Sequence, residues 1–209
     1  MVTVTRASTA VRRRQAVGYR DAAASAPELR CLRLGQRTHE AFRHAVPVVA
    51  DSDIITHDNP VWRGRTNFIV RLDLSPHGAP GRWEQLWTRT DDEQSFVVCC
   101  IPYFTYGISL GDTLSVERAT GAHRVKAKSG HRTIRVALTD DDVAHQKHDR
   151  LHAQLSGELG CLVEFRGAHY AAVNIADDQQ QQDVMAVLTP LFDRGRLLWE
   201  WAGPQGPPD

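Results

Sequence analysis

At 209 residues the chain is long enough for one large domain or two small ones, each with a real core. Its 42% hydrophobic and 24% charged residues are ordinary for a globular protein, and no apolar run approaches the roughly 20 residues of a spanning helix, so no membrane partner is expected. The zero net charge hides an asymmetry: residues 1–45 carry nine Arg against Asp21, Glu28 and Glu40, a basic arm that could meet nucleic acid, an acidic partner or the mildly acidic remainder of the chain.

The first 26 residues lack the apolar core of a secretory signal. Their Arg, Ser and Ala bias resembles a transit peptide, but the same usage runs through the whole chain, so a bacterial cytoplasmic protein with an N-terminal extension is expected. The four cysteines, at 31, 99, 100 and 161, form no CxxC pair, which argues against a disulfide framework or zinc ribbon and for reduced thiols. Residues 1–64 give only weak helical signals, such as "PELRCLRL" opened by Pro27 and interrupted by Gly35, and read as a weakly ordered basic arm.

From Arg65 the pattern changes to period two, with Phe68, Val70, Leu72 and Leu74 on one face of a strand. The loop "SPHGAPGR" leads to a second strand, "WEQLWTR". "QSFVVCCI", apolar on both faces, predicts a doubly buried strand stopped by Pro102, and "DTLSVER" and "AHRVKAK" complete five. Five short strands separated by turn signals predict a small antiparallel β-barrel-like domain over 65–129.

The rhythm then becomes "HRTIRVAL" as a strand, a helix capped by Thr139 and three aspartates and ended by Gly160, a hairpin turning at Gly167, a helix kinked or shortened by Pro190, and a last strand "RLLWEWA". This β-α-β-β-α-β order predicts a ferredoxin-like domain over 130–203, followed by a disordered tail at 204–209. The fold class expected is therefore α+β.

The stretch "CCIPYFTYGISLGDTL" is dense in chemically interesting side chains. Neighbours on a strand face opposite ways, so Cys99 and Cys100 cannot share one metal without a bulge and read as buried packing thiols. Gly107 and Gly111 supply turns, and Asp112 accepts hydrogen bonds from turn amides or, less plainly, serves as an acid. Tyr103 and Tyr106 are candidates to line a binding groove. Together with Trp87, "HRTIRVAL" and the pair Gly160 and Cys161 in "LGCLVEFRGAHYAAVNI", this stretch resembles the bacterial domain-of-unknown-function family 4265 over roughly residues 60–203. Cys100 stands where that pattern places Asn. The resemblance supports the boundaries and implies no chemistry.

His148 and His152 are spaced i and i+4 and are the best metal candidates, but they border the apolar stripe of their helix, so neither a metal nor a cofactor is expected. Arg118, Arg124, Lys126, Lys128, Arg132 and Arg135 form a run without an acid. Arg124, Lys126 and Lys128 alternate as a positive strand face, and with Arg132 they are candidate anion contacts. Trp83, Trp87, Trp199 and Trp201 read as core and boundary residues. With no phosphate loop, nucleophile elbow or dinucleotide fingerprint, the leading expectation is a non-catalytic binding or regulatory protein that contacts another protein. The alternatives are nucleic-acid binding through the arm and basic strand, an immunity- or antitoxin-like inhibitor, and an enzyme with an unrecognised site.

Overall fold

A computed structural model describes residues 53–138 and 144–203. The arm up to residue 52, the cap at Thr139 to Asp142 and the tail at 204–209 lie outside the described residues. The fold is α+β, built of two sheets that meet across a buried seam.

The first sheet contains β1 (Ile54–Ile55), β2 (Phe68–Asp73), β3 (Trp83–Arg89), β4 (Phe96–Val98), β5 (Thr113–Val116) and β6 (His123–Ala127). Strand β3 is its hub. One edge pairs antiparallel with β2 from Phe68↔Thr88 to Asp73↔Trp83, while the other takes β1 in parallel at Trp83 and Glu84, and β4 at Thr88 and Arg89. Residues 53–64, read from the sequence as the end of an arm, thus carry a strand of this sheet.

The expected barrel does not close: β2 and β6 do not pair as strands among the described residues. They touch where the Asp73 N–H donates to the Gly121 carbonyl at 3.4 Å. A side chain at Gly121 (φ 70°) would come within 2.4 Å of the Trp83 ring, so this close approach requires glycine. The expected long strand "QSFVVCCI" also shortens to three residues, because the Ile101 and Tyr103 amides donate to the carboxylates of Glu164 and Glu84 instead of to a neighbouring strand.

The second sheet contains β7 (Arg132–Leu138), β8 (Val163–Arg166), β9 (Tyr170–Ile175) and β10 (Leu197–Trp201) in the order β10-β7-β9-β8, with every pair antiparallel. Helix α1 (Ala144–His152), extended by a π-helical segment Ala153–Glu158, and helix α2 (Asp178–Asp193) cover one face. Gly160 adopts φ 64° just past the first helical segment, as a C-terminal glycine cap does. The Asp177 carboxylate caps α2 by accepting from the Gln180 N–H at 2.8 Å. Pro190 does not shorten α2; it sits exposed in the last turns, where water can satisfy the carbonyl that its missing N–H leaves open.

Period-two alternation divides the second sheet. Ile134, Val136, Ala171, Val173, Ile175, Leu197 and Trp199 pack under the helices against Leu151, Leu155, Val184 and Leu188. Ala137, Tyr170, Ala172 and Leu198 face the other way, onto Ile55, Leu74, Ile101 and Tyr103. Central strand β9 is consequently buried at all six positions. Arg135, Glu164 and Glu200 stand at positions of this second phase, and they too are buried.

Candidate functional site

The seam between the sheets concentrates the buried ionisable groups. Strand β3 carries Glu84, β8 carries Glu164, and the segment after β1 inserts His57 between them. The imidazole Nδ1 lies 2.5 Å from Glu164 Oε2 and Nε2 lies 3.2 Å from Glu84 Oε1, while the ring stacks on Tyr103 with centroids 4.2 Å apart. Glu84 also accepts the N–H groups of Tyr103 (2.5 Å), Phe104 (3.1 Å) and Thr105 (2.8 Å), and the Thr105 hydroxyl at 2.7 Å. Glu164 accepts the amides of Val61 at 3.0 Å and Ile101 at 2.8 Å. The chain from Ile101 to Thr105 is therefore wrapped around two carboxylates.

Burial alone would lower the His57 pKa, but neighbouring Cys100 and the Glu164 and Glu84 carboxylates outweigh it and hold the imidazole well above its ordinary range. Burial would raise Glu84; the hydrogen bond and charge of His57, with the Thr105 hydroxyl, reverse this and bring it down to about 2. Burial pushes the Cys100 thiol up, and His57 beside it pulls it back only in part. A second buried pair extends the seam: Arg135 Nη1 lies 3.3 Å from Glu200 Oε1, Nη2 donates to the Thr105 carbonyl at 2.6 Å, and the Tyr106 hydroxyl donates to Glu200 at 2.7 Å.

His57, Glu84 and Glu164 are only 2%, 0% and 3% exposed, so no substrate reaches this imidazole between two carboxylates. Its chemistry is internal solvation of charge: backbone amides and opposite charges replace water around groups whose burial would otherwise be prohibitive.

Of the residues singled out by sequence, Tyr103 is buried in the seam with its hydroxyl donating to the Phe165 carbonyl at 3.0 Å, and Tyr106 is half-buried above Arg135. Asp112 is fully buried in its turn, accepting the Ser109 amide at 2.9 Å, the Ser129 amide at 2.8 Å and the Lys128 ammonium at 2.9 Å. Lys128 also donates to the Gly107 carbonyl, and Lys126 to the Ser95 hydroxyl at 2.8 Å; Arg124 is exposed, and Arg132 pairs with Asp178 at 2.8 Å. Arg135, counted in the same basic run, is not a surface charge at all. His148 packs its ring on Phe165 at 3.9 Å, with His152 5.5 Å from the same ring, and no group of three or more His, Cys, Asp or Glu among the described residues is set to hold a metal ion.

Sequence reasoning did not single out His57, Glu84, Glu164 or Glu200, and it counted Arg135 only as one of a basic run. The available signal was a charge at each of four alternating strand positions, but that pattern is also what a water-facing strand shows.

A separate concavity of about 400 Å³ opens where the turn between β6 and β7, the loop after Tyr106 and the end of β10 converge. Lys128, His131 and Arg132 contribute to its lining together with Ser109, Thr133 and Trp201, and no acid lines it. Two backbone bonds fix its frame, from the Gly107 N–H to the Ala202 carbonyl and from the Ala202 N–H to the Thr133 carbonyl, each 3.0 Å.

A family model described as "Domain of unknown function (DUF4265)" matches residues 84–200, a span that includes Glu84, Arg135, Glu164 and Glu200 and leaves His57 upstream. Comparison with curated proteins gives no match. Among solved structures the chain is similar to one titled "Novel crystal structure of a hypothetical protein from Neisseria gonorrhoeae", at 21% identity and a TM-score of 0.50, covering 64% of this chain and 91% of that one. At that identity the likeness is one of fold.

Proposed function

The chain belongs to the domain-of-unknown-function family DUF4265, and from that premise we propose that it is a non-catalytic binding protein acting through contacts with another protein. The observation that carries this reading is the contrast in access: the ionisable groups arranged as an acid-base cluster are sealed, whereas the 400 Å³ cleft is open and lined by side chains suited to recognition. Its supporting frame is read as a ferredoxin-like unit over 130–203 joined to the open sheet over 65–129, with residues 53–64 contributing β1 and His57 to the shared interior.

Nucleic-acid binding is the less favoured reading. Lys126 and Lys128 are already committed to the Ser95 hydroxyl and the Gly107 carbonyl, which leaves Arg124 as the free-standing cation of the expected ladder. Crosslinking of the tagged full chain in cells, followed by mass spectrometry, tests the proposal. The expected result is a link from Lys128 or a neighbouring residue to one protein, lost in Trp201→Ala. Links to nucleic acid alone, or turnover of a small molecule abolished by Asp112→Ala in a folded protein, would overturn it.

A further inference from the structure

Resting on that protein-binding reading, we infer that the outward face of the β2–β3 ribbon is a second contact, which receives an extended segment of the partner in which a carboxylate and an aliphatic side chain stand two positions apart. Strand alternation builds the face. Val70, Leu72, Glu84, Leu86 and Thr88 point inward and are buried, so Ile69 and Arg71 of β2 share the other side with Trp83 and Trp87 of β3. The register sets Ile69 directly across from Trp87. At 41% exposure, Ile69 is one of two large hydrophobic side chains left exposed among the described residues.

Two arginines stand over the tryptophans. The Arg71 guanidinium lies 5.6 Å from the Trp83 ring, and that of Arg63 lies 5.2 Å from the Trp87 ring. Neither pairs with a carboxylate of the described residues: Arg63 donates to the Asp58 carbonyl at 3.1 Å, and Arg71 makes no hydrogen bond or ion pair among them. Asp73, the acid on this face, is turned to the Ser75 N–H at 3.0 Å and the Ser75 hydroxyl at 2.7 Å. The face therefore sets two guanidiniums without a carboxylate partner beside an exposed aliphatic side chain.

That combination selects the partner's chemistry. A guanidinium stacked on a ring keeps its N–H edge for a planar carboxylate, which it grips with two parallel hydrogen bonds. Single-stranded nucleic acid would need open ring faces for its bases, and here the guanidiniums already lie over both rings. A bare phosphate would leave Ile69 uncovered. Along an extended segment, side chains two positions apart are separated by about 6.5 Å, the spacing at which Arg71 and Ile69 follow one another on β2.

The test is a ¹⁵N NMR titration of the full chain, at low salt, with a blocked Glu-Thr-Leu-Thr-Glu peptide, its Gln-Thr-Leu-Thr-Gln counterpart and a short oligo-dT. The Glu peptide is expected to shift the Trp83 and Trp87 indole signals and to bind about tenfold more tightly than the Gln peptide. Arg71→Gln and Ile69→Thr should each weaken it severalfold, and Arg71→Lys, which keeps the charge but not the planar fork, should weaken it as well. Arg124→Gln, the same charge change at an exposed position of β6, should leave binding unchanged. Equal binding of the Gln peptide, tighter binding of oligo-dT at the same indoles, an equal loss in Arg124→Gln, or no shift of these indoles would each overturn the inference. If crosslinking still captures a protein partner while the Glu peptide neither binds nor competes with it, the binding reading stands and this inference falls; if crosslinking yields none, it is the binding reading that falls.

Discussion

The two faces of the four-stranded sheet are closed by opposite means. Toward the helices, Ile134, Val136, Val173, Ile175 and Leu197 meet Leu155, Val184 and Leu188 in an apolar core. Toward the first sheet, the four strands present Arg135, Glu164 and Glu200 to the loop 101–106, which donates to Glu164 and Glu200 and accepts from Arg135 Nη2, while Arg135 Nε is buried without a partner among the described residues. The first face tolerates change in proportion to volume, because dispersion and apolar burial are non-directional. The second tolerates removal of whole charge pairs far better than removal of one partner, because an orphaned charge keeps its desolvation cost and loses its compensation.

The largest expected effect comes from breaking the polar face at one point. Glu84→Ala strands the His57 imidazolium and the donors of Tyr103, Phe104 and Thr105, and should lower stability by about 3–5 kcal/mol in urea denaturation. Replacing both partners sharpens the contrast: the double variant Arg135→Met with Glu200→Leu should recover most of what either single change loses. On the helix side, Leu155→Ala should cost about 2–5 kcal/mol by opening a cavity, with no comparable rescue from a second polar-to-apolar change.

The pH dependence separates the faces again. The elevated pKa of His57 means that its stabilisation is complete below its unfolded-state value near 6.5 and drains away as pH rises toward its folded value. The lowered pKa of Glu84 acts oppositely: its contribution is present above the ordinary 4.5 and is lost as pH falls toward about 2. Stability should therefore decline on the alkaline side of about 6.5, and His57→Gln should flatten that decline; an equally steep slope in the variant would break the assignment. The smallest effect belongs to the surface, where Arg124→Ala should change stability by no more than about 0.5 kcal/mol.

The helix-covered face was legible in the sequence because local rules agree there. Period-two strands alternate with helices, Gly160 takes a positive φ at the end of the first helical segment, and Gly167 takes one in the hairpin. The seam was not legible for a definite reason. Arg135 in "TIRVA", Glu164 in "LVEFR" and Glu200 in "LWEWA" each stand between apolar neighbours, and Glu84 in "WEQLW" stands between a Trp and a Gln, patterns of a strand with one wet face, and nothing local reports that a loop from elsewhere covers that face. His57 sits in a segment with no periodic signal, and its partners are 27 and 107 residues away. Strand β4 stops short for a related reason: amides that would have extended it bind carboxylates of β3 and β8. The cleft escaped notice because its lining comes from three separated stretches.

That charge in the seam is internal structure and not chemistry is tested most directly by the protonation state of His57 in the intact chain. A ¹⁵N-detected NMR titration of its imidazole should show both ring nitrogens still protonated where a water-exposed imidazole has already lost its proton. An imidazole that instead titrates near 6.5, as one open to water would, contradicts the account.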